Sequence, residues 1–84
     1  MKPGTVYMIT GGAKGIGEAS AIAFAQEGGK VAIADIDEKA GQNIVQKIKD
    51  NGGDAIFVNC DVSNSENVQR LVSKTTLTYG GVVI

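Results

Sequence analysis

Eighty-four residues carry eight Lys and Arg against nine Asp and Glu, a formal net charge of −1, so no basic field points to nucleic acid or to an anionic membrane as partner. A lone cysteine, Cys60, and the absence of histidine exclude an internal disulfide and leave no metal-ligand cluster. No apolar stretch approaches the roughly eighteen residues that span a bilayer, and Met1-Lys2-Pro3-Gly4 runs into a strand-like segment instead of a signal-peptide core, which implies a cytoplasmic chain.

In chain order, Thr5-Val6-Tyr7-Met8-Ile9 reads as a short strand. Gly15 to Glu27 is alanine-rich, and Ile16, Ala19, Ala23 and Phe24 fall on one helical face. Val31-Ala32-Ile33-Ala34 is apolar on consecutive residues, the pattern of a strand covered on both faces. Ala40, Ile44, Val45 and Ile48 then recur at helical spacing, and Gly52-Gly53 ends that helix. Ala55-Ile56-Phe57-Val58 predicts a third strand, with Cys60 as a small buried thiol at its end. Ser63-Asn64-Ser65-Glu66 has capping-box spacing, and Val68, Leu71, Val72 and Thr75 mark a third helix. Gly80-Gly81 breaks it, Tyr79 reads as a core aromatic at the helix end, and Val82-Val83-Ile84 reads as the stub of a fourth strand.

Strands and helices that alternate through short connections imply a parallel α/β sheet with right-handed crossovers. The first two helices should share one face of the sheet, and the third should cross to the other and deliver strand 4 beside strand 1. That gives the order 3-2-1-4, an incomplete doubly wound fold over residues 1–84 whose ligand site lies at the carboxyl ends of the strands. "TGGAKGIG", residues 10 to 17, falls at that end. Gly11 permits the sharp turn out of strand 1, a missing side chain at Gly15 lets a pyrophosphate approach the helix amides, and Gly17 lets helix and strand pack closely. A tight turn that holds no ligand is the alternative. A Walker-type phosphate loop fits less well, because Lys14 is followed by Gly15 and not by Ser or Thr.

Asp35 ends the second strand eighteen positions after Gly17, where a carboxylate can accept hydrogen bonds from the hydroxyls of an adenosine ribose. Alternatively it is a solvated loop acid, or helps Asp37 start the next helix. Its charge opposes a 2′-phosphate and Ile36 offers no cation to attract one, which favours NAD over NADP. Lys14 argues weakly in the other direction.

The spacing Thr10-Gly11-x-x-x-Gly15-x-Gly17 resembles the TGxxxGxG of the short-chain dehydrogenase/reductase family, an oxidoreductase family with a Rossmann-type fold. "ADID" (34 to 37) is similar to the end of the second strand in NAD-preferring members, and "CDVS" (60 to 63) to the family's Asp-Val after the third strand. The resemblance implies that Gly11, Gly15, Ile16 and Gly17 line the pyrophosphate, Asp35 and Ile36 the ribose, Asp61 the adenine amino group and Val62 its ring. Read on their own, Asp61 and Val62 are equally a helix-entry acid and a core residue.

The family's catalysis resembles a proton relay from a tyrosine whose pKa a lysine four residues later lowers, aided by serine and asparagine. No such pair exists here: Tyr7 is followed at that distance by Gly11 and Tyr79 by Val83, and the family's Asn-Asn-Ala-Gly is absent. No residue is therefore assigned to catalysis and none to a metal. The expectation is the NAD-binding, truncated N-terminal part of an oxidoreductase that transfers hydride between cofactor and an alcohol or carbonyl. The alternative is a non-enzymatic nucleotide-binding or self-assembly module. If these residues make up the whole molecule, it should self-associate through an exposed sheet edge or apolar face.

Overall fold

The computed structural model describes residues 4–11 and 15–80. The elements run β1 (Val6–Thr10), α1 (Gly15–Gln26), β2 (Lys30–Asp35), α2 (Glu38–Asp50), β3 (Asp54–Asn59) and α3 (Ser65–Tyr79), each expected element lying within a residue or two of its reading. The three strands are parallel and ordered 3-2-1, with Thr10 paired to Ala34 and Asp35 to Asn59. The strand-4 stub at Val82–Ile84 lies outside the described residues.

Side chains alternate across a strand, and the apolar run of β2 serves two cores for that reason. Val31 and Ile33 pack with Ala55 and Phe57 of β3 against Ala21 and Ala25 of α1 and Ile44, Val45 and Ile48 of α2. Ala32 and Ala34 join Val58, Cys60 and Leu71 of α3 on the opposite face. The third helix has crossed the sheet, as its place in a doubly wound chain requires, and Cys60 is the buried thiol expected.

The face of α1 differs from the sequence reading. Ile16 is 87% exposed and Ala19 and Ala23 also face solvent, whereas Ala21 and Ala25 are buried and Gly17 and Phe24 half-buried. Alanine on every side of this helix leaves almost no periodic contrast. Its orientation is set instead by packing on the sheet through the small residues Ala21 and Ala25 and by Phe24, whose ring stacks on Tyr7 of β1 at 4.4 Å between centroids. In α2, by contrast, Ile44, Val45 and Ile48 are buried as expected.

The capping expectation at α3 also shifts by one residue. Asn64 is the N-cap, its side chain accepting from the amides of Glu66 (2.9 Å) and Asn67 (3.2 Å), because Ser63 has turned back toward Asp61. Leu71 and Thr75 are buried, but Val72 is 38% exposed; the Thr75 hydroxyl donates to the Leu71 carbonyl at 2.7 Å, so its burial leaves no polar atom unsatisfied. Gly80 closes the helix in the left-handed region at φ 81°. Tyr79 is half-buried and not a plain core residue: its hydroxyl donates to Asp54 at 3.0 Å and Lys30 Nζ lies 5.6 Å from its ring centroid. Burial, and then the neighbouring Asp54 carboxylate, push the phenol well above its ordinary pKa, so it serves here as a donor and not as an acid.

Candidate functional site

Three parallel strands in register bring their last residues, Thr10, Asp35 and Asn59, to one end of the sheet. The chain continues that alignment for one more rung. The Gly11 amide donates to the Ala34 carbonyl at 2.7 Å and the Cys60 amide to the Asp35 carbonyl at 3.1 Å, so Asp35 and Asn59 end their strands at the carboxyl edge, Gly11 follows β1 there, and Asp61 follows two residues after Asn59.

Gly11 and Gly15 hold φ values of 65° and 57°, a region that a side chain adopts only with strain. Among the described residues, a Cβ built on either would meet no atom within 4 Å, so contact with those residues is not what demands glycine there. Gly12, Ala13 and Lys14, between them, lie outside the described residues, and the argument from Lys14 with them. The amino end of α1 follows at once, its first-turn amides carrying the partial positive charge of a helix start.

Asp35 plays two parts in the sequence reading, and the geometry contains one of them. Its Oδ1 accepts the Asp37 amide at 2.9 Å, and Asp37, with extended backbone, accepts the Ala40 amide at 3.0 Å as N-cap of α2. Asp35 thus helps start the next helix. A carboxylate offers about four acceptor sites, so this bond is compatible with further hydroxyl donors.

Asp61 is exposed, and its Oδ1 accepts both the amide (2.9 Å) and the hydroxyl (2.7 Å) of Ser63. These bonds, the hydroxyl's first, hold its carboxyl below the ordinary aspartate pKa. Its own amide donates to Asn67 Oδ1 at 3.2 Å, tying it to the first turn of α3. The helix-entry role is therefore real. The core role suggested for Val62 is not: Val62 is 58% exposed.

Val62 shares that exposure with two neighbours in the fold. Ile16 opens α1 just beyond β1, and Ile36, 72% exposed, follows β2. Of the five large hydrophobic residues exposed among the described residues, these three stand at the strand ends, each next to a residue singled out for its chemistry.

Two polar residues at this end escaped the sequence reading. Asn59, the last residue of β3, donates from Nδ2 to the Ile36 carbonyl at 3.3 Å, and the Arg70 guanidinium of α3 donates to the Asn59 carbonyl. β3 both begins and ends on a polar residue, Asp54 and Asn59, so Asn59 has no distinctive local signal in the sequence. Among the described residues, no group of three or more His, Cys, Asp or Glu side chains is placed to hold a metal ion, and no helix is long and apolar enough to cross a membrane.

Comparison with known proteins agrees with this architecture. An uncharacterized oxidoreductase of Thermotoga maritima is 45% identical over 98% of the chain, and secoisolariciresinol dehydrogenase of Forsythia intermedia is 44% identical over 92%. The chain covers 32% and 27% of these relatives, about a third of their length or less. Among solved structures, a short chain dehydrogenase/reductase from Burkholderia phymatum in complex with NAD superposes on 95% of the chain, with a TM-score of 0.93 at 38% identity, and the chain covers 28% of it. A hydroxysteroid dehydrogenase from Escherichia coli gives 0.92 at 32% identity, covering 95% of this chain and 33% of that one. The short chain dehydrogenase family model matches residues 5–84. With three parallel strands, helices on both faces and the glycine turn at the carboxyl edge, the chain belongs to the short-chain dehydrogenase family.

Proposed function

We propose that residues 1–84 form the cofactor-holding N-terminal part of an NAD-dependent oxidoreductase that moves hydride between the nicotinamide and an alcohol or carbonyl. The observation that carries this reading is the convergence of Asp35 with two glycines of positive φ at one sheet edge. In this reading Gly11, Gly15, Ile16 and Gly17 border the pyrophosphate, Asp35 and Ile36 receive the adenosine ribose, and Asp61 and Val62 receive the adenine. The bound cofactor supplies the hydride chemistry; this chain supplies binding and orientation. Neither tyrosine of the sequence has a lysine four residues later, so the proton-handling groups belong to other residues of the whole enzyme.

Calorimetric titration with NAD, NADP and ADP-ribose tests this reading. NAD and ADP-ribose should bind about equally, since the groups proposed here meet only their shared half, and NADP should bind more weakly. Replacing Asp35 by Ala should narrow the NAD preference by roughly tenfold, the effect of removing about 1.4 kcal/mol of repulsion between the carboxylate and a 2′-phosphate. A preference for NADP, or an unchanged ratio in Asp35→Ala, would refute the assignment of Asp35. NADH production from alcohols by the pure 84-residue chain would refute the absence of catalytic groups.

A second reading, self-assembly, is favoured by one feature. Among the described residues β1 pairs only with β2, which leaves the other edge of β1 available to a strand. Sedimentation of the chain should then show dimers or larger species, and a monomer at high concentration would remove this reading.

A further inference from the structure

We propose that Asn59 is a positioning residue for the adenosine-ribose carboxylate, its side-chain amide fixing the peptide plane between Ile36 and Asp37 from which Asp35 takes its orientation. The carbonyl of Ile36 and the amide of Asp37 belong to one planar peptide unit. Asn59 Nδ2 donates to that carbonyl at 3.3 Å, and the amide on the far side of the same unit donates to Asp35 Oδ1 at 2.9 Å. Rotation of the plane breaks both bonds together, so the residue on β3 holds the carboxylate at the end of β2 without touching it. Donation to the carbonyl also polarises the unit and strengthens what its N–H gives to Asp35.

Asn59 is itself held. Its backbone lies in the β2–β3 ladder opposite Asp35, and its carbonyl accepts the Arg70 guanidinium. The chain of contacts thus runs from α3 through the last residue of β3 into the turn after β2. Ile36, 72% exposed, contributes little packing to that turn, and Asp37 anchors its far side through the cap of α2. The amide of Asn59 constrains the peptide between them. An aspartate at this position would carry no donor and would set a lone pair against the Ile36 carbonyl.

The inference rests on the proposed role of Asp35, and its test separates the two. Asn59→Ala, Asn59→Leu (similar volume, no donor and no new charge) and Asp35→Ala are titrated with NAD and NADP, and the Asp37 and Ala40 amides are followed by NMR and hydrogen exchange. Both Asn59 variants should lower the NAD to NADP affinity ratio at least threefold, whereas a general loosening of the fold weakens both cofactors equally. They should also speed exchange of the Asp37 amide at least threefold and leave that of Ala40 within twofold. An altered ratio in Asp35→Ala with an unaltered one in both Asn59 variants overturns the positioning role alone. An unaltered ratio in all three overturns the ribose role of Asp35 and this inference with it. If affinities are too weak to measure, the Asp37 amide decides: unchanged exchange in Asn59→Ala overturns the proposal.

Discussion

Gly41→Ala is expected to destabilise the protein by about 1–3 kcal/mol through overpacking, although alanine is the better helix former by about 1 kcal/mol. Gly41 sits in the buried face of α2, one turn before Ile44 and Val45. A Cβ built there would lie 2.1 Å from Cε1 and 2.2 Å from Cδ1 of Phe57, distances no relaxed carbon pair tolerates. Phe57 is 8% exposed and belongs to the α1/α2 core, so either its ring gives up packing against that core or α2 lifts from the sheet. Sterics therefore outweigh propensity. For a domain of this length the whole stability is of order 4–13 kcal/mol, and Gly41→Val should leave much of the chain unfolded. Urea denaturation of Gly41→Ala, Phe57→Leu and the double variant is the measurement. The two changes should be non-additive, with the double variant more stable than the sum of the two losses predicts. Strict additivity, or a more stable Gly41→Ala, would show that the helix seats itself some other way.

The same contrast between α2 and α1 explains how far the fold was legible. In α2 the large apolar residues 44, 45 and 48 stand among Gln, Lys and Asp, and only one face can be buried. In α1 a burial choice among alanines costs little either way, so the sheet decides, through Ala21 and Ala25. The α3 cap had the same ambiguity. Ser63, Asn64 and Ser65 are all cap formers, and a tertiary circumstance, the engagement of Ser63 by Asp61, leaves the role to Asn64. At the candidate site, the turn at Gly11 and the helix-entry role of Asp35 were legible because a positive φ and the start of α2 each favour a particular residue type at a strand end. Asn59 was not, because its contact with Ile36 spans 23 positions and leaves no local pattern.

Leu71→Ala carries the other large effect, and it should fall unevenly across the molecule. The α3 face of the sheet is lined by Ala32, Ala34, Val58 and Cys60, and Leu71, 2% exposed, is the side chain from α3 that fills the space above them. Truncating a buried leucine costs about 2–5 kcal/mol, transfer and cavity together. The opposite face keeps its own cluster of Ile33, Ile44, Val45, Ile48 and Phe57, so the cheapest response is for α3 to detach while α1, α2 and the sheet persist. Hydrogen exchange should then accelerate at least tenfold more in α3 than in α2. Detachment also reaches the proposed site, because α3 holds Asp61 through Asn67 and anchors Asn59 through Arg70. NAD affinity of Leu71→Ala should therefore drop severalfold even though Leu71 is not among the residues proposed to meet the cofactor, and cofactor at saturating concentration should restore part of the lost protection by mass action. Equal acceleration in α2 and α3 would mean that the two cores melt as one, and that the helix facing Leu71 is no separable support for the site.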